Sequence, residues 1–531
     1  MDRKGRILVV DDLKSWREQL VEALQHAGYH TDAASSIAQA AMLLKEHLYH
    51  ILVLDVRMQP SDPNNIEGIE LLRELSQQGL TKAIKIIIIS AYGTKEQTRD
   101  AFKEFEVADF LFKDEPFNMQ KFLQAVQQIF ATVNLGLEIL WQGIEGPEQA
   151  ILDLEINGIS ARSDVALRLR LATELEDLLC RLFYRATKIL ARPLTAGYSG
   201  MRVLRVQPGY PGGTGHEVVV KFGNAHAIKK EYRNFKELVL PFLGGGRNTI
   251  ALDFRRTPYL GGVIYSLLGT VNDQMIDFAD FYFNSDETRI NSTLDGLFQD
   301  TCGAWYANCG NLEFLNLTGE YMRSLEYTPS ILERAFEQLA IEDREQISFV
   351  HLKNRRTFTN PRVLLAGHPF ICSTYQCITH GDFNQRNLLI DSDGHVWMID
   401  FQETARGHIL RDVARLDSII RFQLLRPEDA TLKERLHLEE ALCSIEHFGQ
   451  IEQRENPFSR SNRTLAKAYA VVMHLRKLAG ILRRLTPNEN LHEYYIALLY
   501  YAVNTLRFSQ LPVDQREHAL LSACLLVDRL R

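Results

Sequence analysis

Cysteine is absent from the first 179 residues of this 531-residue chain. The seven that follow (Cys180, Cys302, Cys309, Cys372, Cys377, Cys443 and Cys524) are scattered, with no pair at the two-residue spacing of a zinc knuckle or redox motif. That pattern predicts buried, reduced thiols rather than a disulfide framework or a zinc site. Long apolar runs are missing as well. The most apolar stretch, residues 84–89, contains Lys85 and falls far short of the ~20 residues that a membrane helix needs. The start, MDRKGRILVVDD, is charged and runs straight into a strand, so no secretory signal is expected and the chain reads as cytoplasmic, without membrane insertion. Neither sign of charge dominates: Lys+Arg number 60 against Asp+Glu 67, for a formal charge of −7. With no basic recognition helix in view, nucleic acid is not an expected partner. Internal repeats and low-complexity tracts are also lacking. What remains, 24% charged and 46% hydrophobic residues, is the composition of an ordinary globular protein long enough for several domains.

Residues 1–130 alternate β-branched runs (7–10, 29–34, 50–54, 84–89 and 109–112) with amphipathic stretches, marked by Trp16, Leu20 and Leu24 and by Ile37, Ala40, Ala41, Leu44 and Leu48. Five strands with helices between them predict a parallel α/β sheet, whose functional crevice lies at the carboxyl ends of the strands. Asp11 and Asp12 follow the first strand, Asp55 ends the third, Ser90 the fourth and Lys113 the fifth. Carboxylates sharing one site repel each other, and their hard oxygens suit Mg²⁺. A carboxylate beside Mg²⁺ with a lysine opposite can accept a phosphoryl group, which makes Asp55 the candidate acceptor and Ser90 the candidate reader of the arriving oxygens.

These residues resemble the receiver domain of bacterial response regulators, over the whole of 1–130. The resemblance implies a flavodoxin-like (βα)5 fold, a Mg²⁺ site at Asp11, Asp12 and Asp55, phosphorylation of Asp55, and a switch made of Ser90, Phe110 and Lys113. It also implies a cognate sensor histidine kinase or phosphotransfer protein as partner. Two departures stand out: a long loop after Asp55, and Asp114-Glu115 inserted between Lys113 and Pro116. Altered loop geometry is the expected consequence.

The densest chemistry lies at 378–417, ITHGDFNQRNLLIDSDGHVWMIDFQETARGHILRDVARLD. An Asp in a loop, an Asn five residues later and a second Asp returned beside them by a hairpin with Asp-Gly at its turn form a base-and-metal constellation. Asp382 would orient the acceptor's proton, while Asn387 and Asp400 would hold Mg²⁺ on nucleotide phosphates. The segment resembles the phosphotransferase family of aminoglycoside and choline kinases, distant relatives of protein kinases, through His380, Gly381, Asp382, Asn387, Ile399, Asp400 and Phe401. Further resemblance runs from Gly407 to Leu416, where Asp412 would brace the loop and His380 would serve structurally.

A kinase-like reading calls for a small lobe upstream. LTAGYSGMRVLRVQP (194–208) reads as strand, turn and strand with Gly197, Ser199 and Gly200 at the bend, suited to ATP phosphates. Lys221 follows on the next strand, and Glu231, in the succeeding helix, is its candidate partner. The likeness covers about 194–420 and extends to kinase-like modules appended to bacterial signalling proteins, among them a group called ternary-complex-associated domains. The departures are a Gly/Pro-rich insert at 209–215 and a block at 273–375 read as helical.

The expected organisation is therefore a receiver (1–130), a helical linker (131–192), and a two-lobed α+β kinase-like unit with an N-lobe (193–272) and a large helical C-lobe (273–531). Tyr494, Tyr495, Tyr500, Tyr501 and Phe508 are read as core. The expected function is phosphoryl transfer from ATP to an unidentified acceptor, controlled by Asp55. The alternative is a nucleotide-binding, pseudokinase-type scaffold that acts by binding partners. Charge divides to match: 19 Asp+Glu against 15 Lys+Arg in residues 1–130 and 48 against 45 in the rest leave the effector nearly neutral.

Overall fold

The computed structural model describes residues 5–58, 67–78, 80–91, 105, 107–113, 116–194, 201–243, 250–266, 275–341, 345–349, 352, 356–365 and 369–531. The chain forms two compact units, one of residues 1–232 with 250–267, the other of residues 233–249 with 268–531.

In the first unit, strands β1 (Arg6–Val10), β2 (His30–Ala34), β3 (Ile51–Leu54), β4 (Lys85–Ser90) and β5 (Asp109–Phe112) pair in parallel in the order β2-β1-β3-β4-β5. Side chains alternate across a strand, and here both faces are apolar. Ile7, Val9, Val53 and Ile87 join Leu20 and Phe122 in one core, whereas Leu8, Val10, Leu54 and Ile88 join Leu44 and Leu71 in the other. The order reverses between β1 and β3, and the crevice at such a reversal is where ligands bind. Asp11 and Asp55 follow the carboxyl ends of these two strands.

The segment expected to be a helical linker departs from that expectation. Only Val165–Leu182 is a long helix, N-capped by Asp164, whose side chain accepts from Leu167 N at 2.9 Å. On either side of it lie β6 (Glu138–Trp141), the small hairpin β7 (Glu155–Ile156) and β8 (Ile159–Ser160), and β9 (Lys188–Pro193). The reason is tertiary. Ile189 and Ala191 are fully buried on β9, and β6 pairs with β9 in parallel, so sheet packing overrides the local helical composition. Strands β10 (Arg202–Tyr210), β11 (Gly213–Thr214), β12 (Val218–Asn224), β13 (Ala251–Arg256) and β14 (Leu260–Ser266) complete a mixed sheet in the order β13-β14-β12-β10-β9-β6. The 209–215 insert is paired as well, Tyr210 with Gly213 in a tight turn off the main path. Leu171, Leu175, Leu178 and Leu179 of the long helix share a core with Leu204, Val220, Phe222 and Leu260 of this sheet.

The same helix also holds the receiver. His50 Nδ1 accepts from Arg6 N at 3.1 Å, which leaves Nε2 as the proton-bearing nitrogen, 2.9 Å from Asp177 Oδ1. Arg181 Nε donates to Asp177 Oδ2 at 2.8 Å, and its Nη1 donates to Ala83 O at 2.9 Å. Burial by itself would raise the Asp177 carboxyl, but Arg181 and His50 hold it well below its ordinary value of 3.8. A carboxyl whose pKa is depressed by folding stabilises the fold above that ordinary value, and the contribution is lost as pH falls through the folded one. Stability should therefore decline from about pH 4 downwards. Asp177→Asn should destabilise the protein at neutral pH by about 3–5 kcal/mol, as removal of one buried partner does, and flatten the acid limb of a melting-temperature profile.

The second unit is mainly helical. Its long helices are Arg463–Arg483, His492–Thr505 and Val513–Leu530, and among the described residues no helix is long and apolar enough to cross a membrane. Tyr494, Tyr495, Tyr500 and Tyr501 are buried, with Tyr500 stacked on Tyr321 at 5.5 Å, while Phe508 is half-buried. The 273–375 block is less helical than expected. It contributes Glu313–Asn316, paired with Ile371–Thr374, and Gln346–Ser348, paired with Thr357–Thr359. These strands are three or four residues long, too short for periodicity to register. The strand-rich island holds the pair Gln376–Thr379 and Ala405–His408 and the hairpin Leu388–Ile390 with Val396–Met398.

Candidate functional site

Three carboxylates meet at the carboxyl edge of the receiver sheet. Asp11, Asp12 and Asp55 offer oxygens that all lie within 4.8 Å of one another. Asp11 and Asp55 are buried, and Lys113 Nζ reaches both, at 2.7 Å from Asp11 Oδ2 and 2.5 Å from Asp55 Oδ2. The second Asp55 oxygen accepts from Arg57 N at 3.1 Å. Burial pushes the Asp11 carboxyl up against the pull of Lys113, and burial together with the Asp55 charge pushes Asp12 up. Asp12 Oδ1 is buried without a hydrogen-bond partner among the described residues. Three carboxylates facing one ammonium, with an orphaned oxygen among them, are a donor set that fits a hard divalent cation such as Mg²⁺.

The surrounding residues fix that pocket. Arg17 Nη1 donates to the Asp11 and Asp12 carbonyls at 2.7 and 2.8 Å, and Lys113 Nζ lies 5.3 Å from the centre of the Trp16 ring. Ser90 is fully buried at the end of β4, and its carbonyl accepts from Lys113 N at 3.0 Å. Phe110 is half-buried, 5.1 Å from the exposed ring of Phe112. At Gly68 a Cβ would lie 2.3 Å from the Asp55 carbonyl oxygen, so only glycine lets the following helix start there. Arg17, Trp16 and Gly68 were missed from sequence, although Trp16 and Arg17 lie on the first turn of the helix that begins beside the acidic pair. The lengthened loop after Asp55 and the Asp114-Glu115 insertion fall at 59–66 and 114–115, outside the described residues.

The 378–417 segment of the second unit builds a braced loop. Asp412 is fully buried and takes two backbone donors, His380 N at 2.8 Å and Gly381 N at 2.9 Å; Tyr306 Oη donates to it at 3.2 Å. His380 is fully buried, bonds through Nε2 to Ile399 O at 3.0 Å, and has its imidazole pKa lowered by burial. Asp382, partly exposed, accepts from Asn384 Nδ2 at 2.8 Å and Asn387 Nδ2 at 3.2 Å, and Arg415 Nη2 lies 3.6 Å away. Asn387 Nδ2 also donates to the Asp382 carbonyl at 2.9 Å. The hairpin closes through Ile399 N to Asn387 O at 3.1 Å and so brings the chain at Asp400 back to the loop, with Asp400 itself left-handed at φ 68°. Asn384 and Arg415 were not singled out in the sequence; Arg415 follows Asp412 by three residues, one helical turn, which is the signal that could have found it.

Gly381 has φ +85°, and a Cβ there would approach Glu403 O to 2.3 Å. Gly381→Ala is therefore expected to displace the loop from Asp412 and destabilise the protein by about 1–3 kcal/mol, checked by denaturant unfolding.

In the first unit, Lys221 on β12 and Glu231 form a buried ion pair at 2.8 Å, and Tyr265 Oη donates to the other Glu231 oxygen at 2.6 Å. Strands β9 and β10 are antiparallel and flank residues 195–200. Gly197, Ser199 and Gly200 lie outside the described residues.

Residues 186–325 and 345–507 match the family described as ternary complex associated domain 9, more than half of the chain. The chain belongs to that family. Residues 7–127 match the response regulator receiver domain, so this ternary complex associated domain protein carries a receiver at its amino-terminal side and takes part in two-component signalling. Curated relatives include the alginate biosynthesis transcriptional regulatory protein AlgB of Pseudomonas putida, 26% identical over 150 residues, 28% of this chain and 32% of that protein. The transcriptional regulatory protein ZraR of Escherichia coli K12 is 34% identical over 119 residues, 22% of this chain and 25% of its own length. The chain spans about a quarter to a third of these relatives. Solved structures that match include a response regulator receiver protein from Pseudomonas putida (28% identity, TM-score 0.21, 24% of this chain and 97% of that one). Another is the response regulator TrrA from Thermotoga maritima in complex with Mg²⁺ and beryllium fluoride (28% identity, TM-score 0.20, 24% and 98%).

Proposed function

We propose that phosphorylation of Asp55 controls a kinase-like phosphotransferase in this ternary complex associated domain protein, which moves the terminal phosphoryl group of ATP to a hydroxyl or amino acceptor. The observation that carries the reading is the loop from His380 to Asn387. A carboxylate that is partly exposed, held by two amide side chains and a distant guanidinium, sits on a backbone whose N–H groups are fixed by the buried Asp412. Rigid support beneath one accessible carboxylate is what positioning an acceptor hydroxyl requires. The buried Lys221–Glu231 pair is a second support, since it holds an ammonium in one place for the α/β-phosphates.

In the receiver, an Asp55 oxygen attacks the phosphorus of a phosphohistidine donor. The new O–P bond forms as the donor's P–N bond breaks. Lys113, touching both Asp11 and Asp55, stabilises the added negative charge, and Mg²⁺ on the three carboxylates supplies further charge neutralisation when bound. In the second unit, Asp382 orients and accepts the acceptor's proton, and Asn387 and Asp400 are the residues that would hold Mg²⁺; Lys221, in the first unit, is the candidate that the kinase-like resemblance assigns to the nucleotide phosphates. The test is transfer of radiolabel from γ-labelled ATP to the protein itself or to components of a cell extract, by wild type and by Asp382→Ala. Label that depends on Asp382 supports the reading. ATP binding without Asp382-dependent transfer replaces it with the scaffold function.

A further inference from the structure

The amino-terminal edge of the receiver sheet, opposite to Asp55, faces a cavity of about 340 Å³ within the first unit. His50, which precedes β3, and Lys85, the first residue of β4, form its receiver side; Arg181 of the long helix and Arg255 and Arg256 of β13 face them. With Lys229, five cations line one cavity, and no carboxylate is among the lining residues described. Arg181 is neutralised by Asp177 at 2.8 Å and Arg255 by Asp253 at 2.8 Å. Arg256 is half-buried, and its hydrogen bond is a long one, 3.5 Å to Thr257 O. Burial lowers the pKa of its guanidinium, offset in part by the more distant charge of Glu174. Lys85 is exposed and has no carboxylate partner among the described residues. Phe130 and Phe254 add apolar surface to the same wall.

Like charges gathered around a concave, part-apolar space repel one another, and a bound anion relieves that repulsion. The size is that of a small-molecule site. We propose that this cavity binds a phosphate monoester with an apolar or aromatic body, its phosphate held by Lys85 and Arg256 and its body against Phe130 and Phe254. Such a ligand touches the receiver, the long helix and the edge strand β13 at once, and so ties the receiver to the sheet at the junction already held by His50, Asp177 and Arg181. The site stands apart from both the Asp55 pocket and the Asp382 loop and does not depend on the kinase-like reading.

The test is calorimetric titration of the full-length protein with AMP in the presence of EDTA, which removes metal-dependent nucleotide binding. Saturable binding is expected in wild type, weakened by at least about tenfold in Lys85→Glu and in Arg256→Gln, and retained in Lys221→Met at a temperature where its melting curve shows that variant folded. Lys85 is exposed, so Lys85→Glu should melt with wild type and the loss cannot be attributed to unfolding. Absence of binding in wild type up to millimolar AMP, or binding undiminished in Lys85→Glu, would overturn the proposal. Binding lost only in Lys221→Met would assign the nucleotide to the kinase-like site and overturn it equally.

Discussion

Asp55→Asn is expected to reduce acetyl-phosphate labelling of the full-length protein to background while leaving the fold intact. The substitution removes the nucleophilic oxygen that Lys113 holds at 2.5 Å, and Asp11 does not replace it, being committed to Lys113 and to Leu13 N at 2.9 Å. It also removes one of three mutually repelling carboxylates from a buried pocket, so the melting temperature measured without Mg²⁺ should stay level or rise. Added Mg²⁺ should stabilise wild type more than Asp55→Asn, because binding to the native state alone raises stability by mass action and the variant has lost a ligand. Phosphate-affinity electrophoresis together with a thermal melt reads both effects. Label persisting in the variant would mean that another residue is the acceptor.

On the proposed phosphotransferase reading, Asp382→Ala is expected to lower the rate of phosphoryl transfer by about 10²–10⁴-fold, the range for removal of a positioned general base. The geometry makes the effect selective. Asp412 still accepts from His380 N and Gly381 N, and Asn387 Nδ2 still donates to the backbone carbonyl of residue 382 at 2.9 Å, so the loop keeps its shape without the carboxylate. The KM for ATP should therefore change little while kcat falls. Lys221→Met should behave differently. It strips the partner from a buried Glu231, so stability and ATP affinity should drop together. Steady-state kinetics with a melting curve for each variant separates the two patterns.

The receiver was readable from sequence because its chemistry sits at strand ends and its strands are continuous apolar runs. Asp11, Asp55, Ser90 and Lys113 needed only the parallel topology to converge. The loop from His380 to Asn387 carries a local signal because its bonds from Asn384 and Asn387 to Asp382 span two and five residues, although its brace, Asp412, lies 32 residues from His380. Contacts between distant parts of the chain left no local signal. His50 and Asp177 are 127 residues apart, and neither has a pattern that names the other. The same holds for Thr257 and Tyr259, which donate at 2.7 and 2.8 Å to the buried Glu174 of the long helix. The 131–192 segment misled because Leu-, Glu- and Arg-rich composition favours helix, whereas the pairing of β6 and β9 is decided by the sheet they join. The paired insert at 209–215 shows the converse: glycine and proline marked a turn between strands rather than a loose excursion.

Control of the effector by the receiver is tested most directly by measuring ATP turnover of the wild-type protein at constant Mg²⁺, with and without beryllofluoride, with Asp55→Asn as the control. The expected result is a change in turnover in wild type that is absent in Asp55→Asn, since a ligand shifts an equilibrium only by its differential affinity for two states and the variant cannot hold the phosphoryl mimic. Turnover that is equal in all four conditions would contradict receiver control, whatever the rate itself proves to be.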